Sequence, residues 1–154
     1  MRAAETPDVR EHVRGDDAGF HVIPPDAGPG CVIEMVTRLQ RGEIVSIMGD
    51  RAYGGQTAEA PFLGATAHFP VSAFAVARAA QCPVIALFVP KTGVTGYRLE
   101  PVLFGVPARE NRQSPREGVR AFALALAEFT QRYPYQCFLF CDIWRRTEAG
   151  GGAT

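Results

Sequence analysis

Hydrophobic residues recur at helical spacing in two stretches of the first half of the chain. From Pro29 to Gln40 the apolar positions fall on one face, with a proline suited to the first turn, and Gly42 is placed to end the element. From Val71 to Gln81 small residues occupy one face and larger residues the other. This spacing predicts an amphipathic helix in each stretch.

A third and longer helix is predicted within Asn111 to Tyr133. Ser114 suits the N-cap, a proline follows it, and Glu117 completes a capping box. Pro134 is expected to end the helix, because proline cannot continue the helical hydrogen bonding. The stripe expected to be buried comprises Val119, Phe122, Ala123, Leu126 and Phe129.

Strands are predicted where apolar residues run almost without interruption. Glu43 to Met48 is predicted to be a buried strand, and Cys82 to Val89 a strand covered on both faces. A hairpin loop at residues 91–96 is expected to join that second strand to an alternating partner strand from Tyr97 to Phe104. The mixture of helices and strands indicates an α/β domain.

The remaining segments are assigned from their composition. Tyr53 to Glu59 is predicted to be a polar loop, and Pro61 to Phe69 a short extended passage. Residues 1–19 are charged and lack periodicity, and residues 147–154 are of low complexity, so we expect a disordered arm and a disordered tail. One domain over residues 20–146 lies between them.

The charge balance argues against long-range attraction to a polyanion. The 154 residues carry 16 basic and 16 acidic side chains, so the formal net charge is zero and no nucleic-acid partner is predicted. Lys91 is the only lysine, and arginine suits bidentate contact with phosphate or carboxylate. A genome rich in G and C is the alternative reason, since Ala, Gly and Pro are also frequent.

The sequence predicts a soluble or peripheral protein of a reducing compartment. No apolar stretch reaches the roughly 18 residues of a membrane span, and the polar N-terminus does not resemble a signal peptide. The cysteines lack zinc spacing and a C-x-x-C motif, and they are interpreted as small buried hydrophobic residues. They are Cys31, Cys82, Cys137 and Cys141. No metal site and no cofactor is predicted.

Four ordered blocks of the sequence carry a family resemblance. They are Arg41–Arg51 (RGEIVSIMGDR), Pro61–Gly64 with Phe69–Pro70, Cys82–Pro90 (CPVIALFVP) and Tyr133–Trp144 (YPYQCFLFCDIW). Together they resemble the C-terminal portion of the lysophospholipid acyltransferase superfamily, most of all its lipid A late acyltransferase branch. Four blocks in the same order are far more specific than one short motif.

The resemblance implies a fold, a reaction and partners. The fold would be the C-terminal half of a glycerolipid-acyltransferase-like mixed sheet flanked by helices. The reaction would transfer a fatty acyl chain from acyl-carrier protein or coenzyme A to a hydroxyl of a lipid acceptor. The protein would act at a membrane surface, as a cytoplasmic protein peripheral to the inner membrane.

In such enzymes a histidine, followed five positions later by an acidic residue, acts as the general base. The resemblance places that pair upstream of this chain, so we expect a truncated chain that lacks the N-terminal half and is inactive alone. Two H-x-x-x-x-D strings occur, His12 with Asp17 and His21 with Asp26. Neither is assigned as catalytic, because the first lies in the charged arm and the second runs into two prolines.

Asp50 and Arg51 are the leading substrate-binding candidates, because they follow directly on the strand predicted from Glu43 to Met48. Ligands of open α/β sheets bind beyond the carboxyl ends of the strands. An exposed Arg51 would contact an acceptor phosphate or carboxylate, and Asp50 would position the arginine or a substrate hydroxyl. The alternative is an aspartate that caps the turn beside a solvated arginine.

Phe62 and Gly64, in the second block, are the other two substrate-binding candidates. Phe62, Leu63 and Phe69 fit either the lining of an acyl-chain groove or plain core, and apolar residues between a loop and a helix are more often core. His68 is interpreted as an exposed or hydrogen-bonded strand histidine.

The aromatic residues near the C-terminus also allow two interpretations. Trp144, with Phe138 and Phe140, fits either a membrane interface or closure of the core against the long helix. Two rival functions remain beside acyl transfer. One is a non-catalytic lipid- or partner-binding module derived from the same fold, and the other is a gene fragment without an independent role.

Overall fold

The computed structural model of the chain describes residues 21–24, 28–51, 55–104, 114–139 and 141–145. Within these residues the elements follow in the order α1 (Pro29–Gln40), β1 (Thr57–Phe62), β2 (Ala65–Pro70), α2 (Ser72–Ala80), β3 (Val84–Phe88), β4 (Glu100–Phe104) and α3 (Pro115–Arg132). The α/β class and the three predicted helices are confirmed. The predicted arm and tail lie outside the described residues. None of the described helices is long and apolar enough to cross a membrane.

β1 and β2 form an antiparallel hairpin with a two-residue turn. Leu63 and Gly64 occupy this turn with φ angles of 49° and 85°. Two successive positive φ angles are typical of the type I′ turn, whose twist matches that of paired strands. The prediction of a polar loop from Tyr53 to Glu59 is wrong for its last three residues. Thr57 to Glu59 begin β1 and pair with β2.

β3 and β4 pair antiparallel, as the sequence predicts. The prediction that β3 is covered on both faces is wrong. Phe88 stacks on Phe129 of α3 with ring centroids 4.9 Å apart, whereas Ile85 and Leu87 on the other face are 60% and 56% exposed. The described strands therefore form two separate antiparallel pairs rather than one mixed sheet.

Residues 43–48, predicted to be a buried strand, are not a strand in the structure. Ile44 is 97% exposed. Within the described residues, the backbone of residues 43–48 makes one hydrogen bond to another backbone group. The Glu43 N–H donates to the Arg38 carbonyl at 3.1 Å and closes α1. A strand requires hydrogen bonds to a neighbouring strand, and no described strand pairs with this segment, so its apolar pattern alone does not produce one.

α3 begins with the predicted capping box. Ser114 Oγ accepts a hydrogen bond from the Arg116 N–H at 3.3 Å, and the Ser114 N–H donates to Glu117 Oε2 at 2.8 Å. These bonds satisfy groups that have no helical partner in the first turn. The predicted apolar stripe is confirmed, since four of its members are buried and Phe122 is partly buried.

The core lies between α3 and the two hairpins, and Phe122 connects them. The centroid of its ring lies 5.9 Å from that of Phe69 in β2, 6.5 Å from that of Phe88 in β3 and 6.4 Å from that of Phe104 in β4. The rings of Phe69 and Phe104 meet it edge-to-face, and the ring of Phe88 stacks on it. Aromatic pairs of this kind contribute about 0.5–1.5 kcal/mol each beyond the area that they bury. Phe122 therefore fixes both hairpins on one helix.

Candidate functional site

Gly49 allows the segment after α1 to pass very close to α3. A Cβ atom at this position would lie 2.9 Å from Cζ of Phe122. The ring of Phe122 has little freedom to move away, because aromatic rings from both hairpins surround it. Glycine therefore sets the position of the next two residues, Asp50 and Arg51, and we call Gly49–Arg51 the Gly-Asp-Arg turn.

Asp50 and Arg51 interact with each other in this turn. Asp50 Oδ2 lies 3.6 Å from Arg51 Nε, and the two side chains are 19% and 32% exposed. Arg51 is half-buried, since about two-thirds of its side chain is enclosed. A guanidinium that is oriented by a carboxylate and partly shielded from water is a suitable donor to phosphate or carboxylate groups.

The C-terminal segment brings Cys141 to the Gly-Asp-Arg turn. Its Sγ donates to the backbone oxygen of Asp50 at 3.6 Å. Burial raises the pKa of the Cys141 thiol, the Asp50 carboxylate raises it further, and Arg51 opposes both effects. The sequence does not predict this contact, because 91 positions separate the two residues. The residue as a whole is exposed, so the predicted burial is wrong for Cys141, whereas the other three cysteines are half-buried.

Phe62 lies in the core, where it is 1% exposed. Its ring meets Phe69 edge-to-face at 5.5 Å and Trp144 at 6.0 Å. Gly64 lies in the β1–β2 turn, and a Cβ atom built on it would have nothing within 4 Å. The contacts of Phe62 favour the core interpretation, and a substrate-binding role for either residue stays a prediction.

The segment that holds Cys141 also closes the core over the first hairpin. Ile143 is buried, and its carbonyl accepts a hydrogen bond from the His68 N–H of β2 at 2.7 Å. Trp144 follows directly and rests on Phe62. Trp144 is nevertheless 43% exposed, so core closure and a membrane interface both stay open for it, while Phe138 is exposed and Phe140 lies outside the described residues.

A cavity of about 210 Å³ lies between α2, the β3–β4 pair and the start of α3. Most of its lining is apolar, including Phe74, Val84 and Phe104, and Arg78 supplies a cation. The Phe104 ring contacts Phe122, on which Gly49 packs. The rings of Phe104 and Phe122 thus lie between the cavity and the Gly-Asp-Arg turn. Sequence reasoning missed this cavity because its lining comes from separate elements that meet only in the folded chain.

Comparison with known protein families identifies the family of this chain. The family model described as bacterial lipid A biosynthesis acyltransferase matches residues 11–146, which is most of the chain. The chain belongs to this family. The resemblance to the lipid A branch of the lysophospholipid acyltransferases is thereby confirmed. No curated protein and no solved structure matches the chain.

The histidines of this lipid A acyltransferase-family chain are only partly described. His21 Nε2 lies 2.8 Å from Glu34 Oε1 of α1. The Arg38 guanidinium, through its hydrogen bond, lowers the pKa of Glu34, and His21 adds to that effect. Asp26 and the pair at positions 12 and 17 lie outside the described residues. Within the described ranges, no group of three or more His, Cys, Asp or Glu side chains is arranged to hold a metal ion.

The thiol of Cys141 should report the charges of the Gly-Asp-Arg turn. Asp50→Asn removes a carboxylate that raises the pKa of Cys141, so the pKa should fall and alkylation at one mildly alkaline pH should become faster. Arg51→Ala should have the opposite effect. A change of half a pKa unit would alter the thiolate fraction about threefold.

Labelling rates resolved by peptide mass spectrometry test this prediction. Cys82 is the internal control, since burial raises the pKa of its thiol without a contribution from the turn. Its rate should stay unchanged in both variants. Equal Cys141 rates in Asp50→Asn and Arg51→Ala would show that the described contact does not form in solution.

Proposed function

We propose that this chain supplies the lipid-binding part of an acyltransferase of the lipid A type. The reaction transfers a fatty acyl chain from acyl-carrier protein or coenzyme A to a hydroxyl of a lipid acceptor, at the cytoplasmic surface of the inner membrane. The family match supports acyl transfer in general. The observation that carries the proposal is the Asp50–Arg51 pair, which lies in the first family-like block and is set against α3 by Gly49.

In this proposal Arg51 binds a phosphate or carboxylate of the acceptor, and Asp50 orients its guanidinium. The 3.6 Å contact between the two side chains and the partial enclosure of Arg51 support these roles. Hydrogen bonds to charged groups contribute about 1.5–3 kcal/mol, and they strengthen where water is partly excluded. One such contact would therefore change lipid affinity about tenfold or more.

The cavity beside α3 is proposed to hold the end of an acyl chain. Its volume of about 210 Å³ is somewhat larger than that of engineered apolar cavities that take up benzene, so it would hold part of a chain rather than all of it. Phe74 and Phe104 supply apolar walls. The two rings between this cavity and the Gly-Asp-Arg turn would separate the acyl end from the charged headgroup.

The chemical step needs a base that the described residues do not supply in this proposal. As the acceptor oxygen attacks the thioester carbonyl, its proton passes to the base and the donor thiolate leaves. Neither His21, which is followed by two prolines, nor His68 in β2 is assigned to this role. The base would come from a second chain. A base contributes about 10²–10⁴-fold, so we expect the purified chain to bind lipid without measurable turnover.

Arg51→Ala tests the headgroup role. The full chain is titrated with a phosphorylated glycolipid in detergent micelles, and turnover is assayed in parallel with acyl-carrier protein and coenzyme A donors. Arg51→Ala should weaken binding about tenfold or more, and Arg51→Lys should restore part of it, because an ammonium cannot form a bidentate fork. Arg120→Ala is the matched control, since it removes an equal charge from an exposed position of α3.

Four outcomes would contradict the proposal. Unchanged affinity in Arg51→Ala would remove the headgroup role, and so would an equal loss in Arg120→Ala. A loss of melting temperature large enough to explain the weaker binding would assign Arg51 to the fold. Turnover that disappears in His12→Ala or in His21→Ala would place the base in this chain.

A non-catalytic lipid- or partner-binding module is the second candidate function. Such a module would keep the Asp50–Arg51 pair as a recognition surface and would need no base. The DNA immediately upstream distinguishes the two candidates. An apolar strand followed by H-x-x-x-x-D in any reading frame would support the enzyme over the module.

A further inference from the structure

The backbone of residues 44–48 carries hydrogen-bonding groups that no described element uses. Within the described residues, none of its N–H or carbonyl groups bonds to another backbone group. The exposure of its side chains alternates, since Ile44, Ser46 and Met48 are exposed whereas Val45 and Ile47 are half-buried. A period of two is that of a β-strand. We call residues 44–48 the unpaired segment, because they have the side-chain alternation of a strand without a neighbouring strand.

The chain is fixed at both ends of the unpaired segment. Before it, the Glu43 N–H donates to the Arg38 carbonyl at 3.1 Å, and Nη1 of Arg38 lies 2.8 Å from Oε2 of Glu43. After it, Gly49 approaches the ring of Phe122 so closely that a Cβ atom would lie 2.9 Å from Cζ. The segment between these contacts loses less conformational entropy when a partner binds it than a free strand would.

The composition of the unpaired segment favours pairing with another chain. It holds four apolar residues and one serine, without a charge or a proline. Ile44 is 97% exposed and Met48 is 52% exposed. An unpaired strand edge is a template for another strand, and proteins usually protect such edges with charged residues, proline or a bulge. The residues of this segment supply neither a charge nor a proline.

We propose that the unpaired segment pairs antiparallel with the same segment of a second copy of the chain. A register centred on Ser46 places Ile44 opposite Met48 of the other copy and Val45 opposite Ile47. Each apolar side chain then meets an apolar side chain on the same face, and such cross-strand pairs stabilise a sheet. The interface is symmetric, since the same surface serves both copies. The proposal does not depend on acyl transfer.

The charged residues at the ends of the segment do not oppose this register. Glu43 of one copy lies opposite Gly49 of the other, which has no side chain to repel it. Glu43 is paired with Arg38, and Asp50 lies 3.6 Å from Arg51. Each carboxylate therefore has a cation of its own copy beside it, and no uncompensated like charges face each other across the pair.

The area of the interface predicts how tightly the copies associate. A pair of five-residue strands buries less than the roughly 800 Å² per partner of a standard stable interface. We therefore expect a dimer that dissociates on dilution. The matching of the segment with itself, apolar residue to apolar residue on both faces, favours a second copy over an unrelated strand.

Sedimentation velocity of the full chain, from micromolar to submillimolar concentration, tests for this dimer. The chain should pass from monomer to dimer as its concentration rises. Ile44→Asp should raise the dissociation constant about tenfold or more, because aspartate is disfavoured in strands and the symmetric pair carries the substitution twice. Ile33→Asp is the matched control, at an exposed apolar position of α1, and should leave the constant unchanged. Both residues are exposed, so neither substitution should alter the melting curve much.

Cross-linking through introduced cysteines tests the register. Under mild oxidation with diamide, Ser46→Cys should form a disulfide between copies, because directly opposite Cα atoms lie about 4.5–5.5 Å apart. Ile44→Cys is the control, since its two thiols would lie more than about 13 Å apart in the dimer. A mixture of Ile44→Cys and Met48→Cys chains should cross-link again. Peptide mass spectrometry separates these bonds from those of Cys141, which is exposed as well.

Each other result overturns the proposal. A chain that stays monomeric at every concentration has no such interface, and equal effects of Ile44→Asp and Ile33→Asp would place the interface elsewhere. A dimer that Leu87→Asp dissociates and Ile44→Asp does not would assign the contact to the exposed side of the β3–β4 pair. If Ile44→Asp lowers the melting temperature, cross-linking decides. Ser46→Cys that cross-links no faster than Ile44→Cys would exclude the register centred on Ser46.

Discussion

Replacing Phe62 by alanine should lower the free energy of unfolding by about 3–5 kcal/mol. The side chain is 1% exposed, and its ring touches Phe69 and Trp144. Its removal would leave a cavity between the first hairpin and the C-terminal segment, which the surrounding rings can fill only in part. Since small domains have about 5–15 kcal/mol of stability, this change would remove a large fraction of it.

Urea unfolding followed by circular dichroism measures this effect. Leu124→Ala is the control, because Leu124 is exposed on α3 and its truncation should change stability by about 0.5 kcal/mol or less. A Phe62→Ala variant as stable as the Leu124→Ala variant would contradict the core position of Phe62. It would also restore the interpretation of Phe62 as the wall of an open acyl-chain groove.

Gly118→Val should also destabilise the fold. A Cβ atom on Gly118 would lie 2.3 Å from Cδ1 of Phe74, so α3 and α2 approach each other through this glycine. A side chain here must push Phe74 out of place or separate the helices. Overpacking of this kind costs about 1–3 kcal/mol, which exceeds the few tenths of a kcal/mol that valine gains over glycine in helix propensity.

Gly30→Val provides the matched control, because Gly30 is also helical and a Cβ atom built on it has nothing within 4 Å. Its stability should stay the same or rise slightly. A double-mutant cycle adds a second check: Phe74→Ala should cost less in the Gly118→Val background than in the parent chain. Additive effects of the two substitutions would show that Gly118 and Phe74 do not meet.

The sequence by itself determined the elements whose signals are local. The capping box at Ser114 and the apolar stripe that follows it predicted α3, and both are present because caps and helical periodicity depend only on neighbouring residues. The β3–β4 hairpin was also predictable, since one short loop joins its strands. The family was recognisable for a related reason, because its blocks are short runs of adjacent residues.

Only the tertiary structure decided what depends on distant partners. The apolar pattern of residues 43–48 suits a strand, but no described strand pairs with it, and Ile44 is left exposed. The same limit applies to β3, because a continuous apolar run does not reveal that one face stays open. The contact of Cys141 with Asp50 crosses 91 positions. Such contacts arise when packed elements bring separate segments together, and sequence spacing carries no record of that geometry.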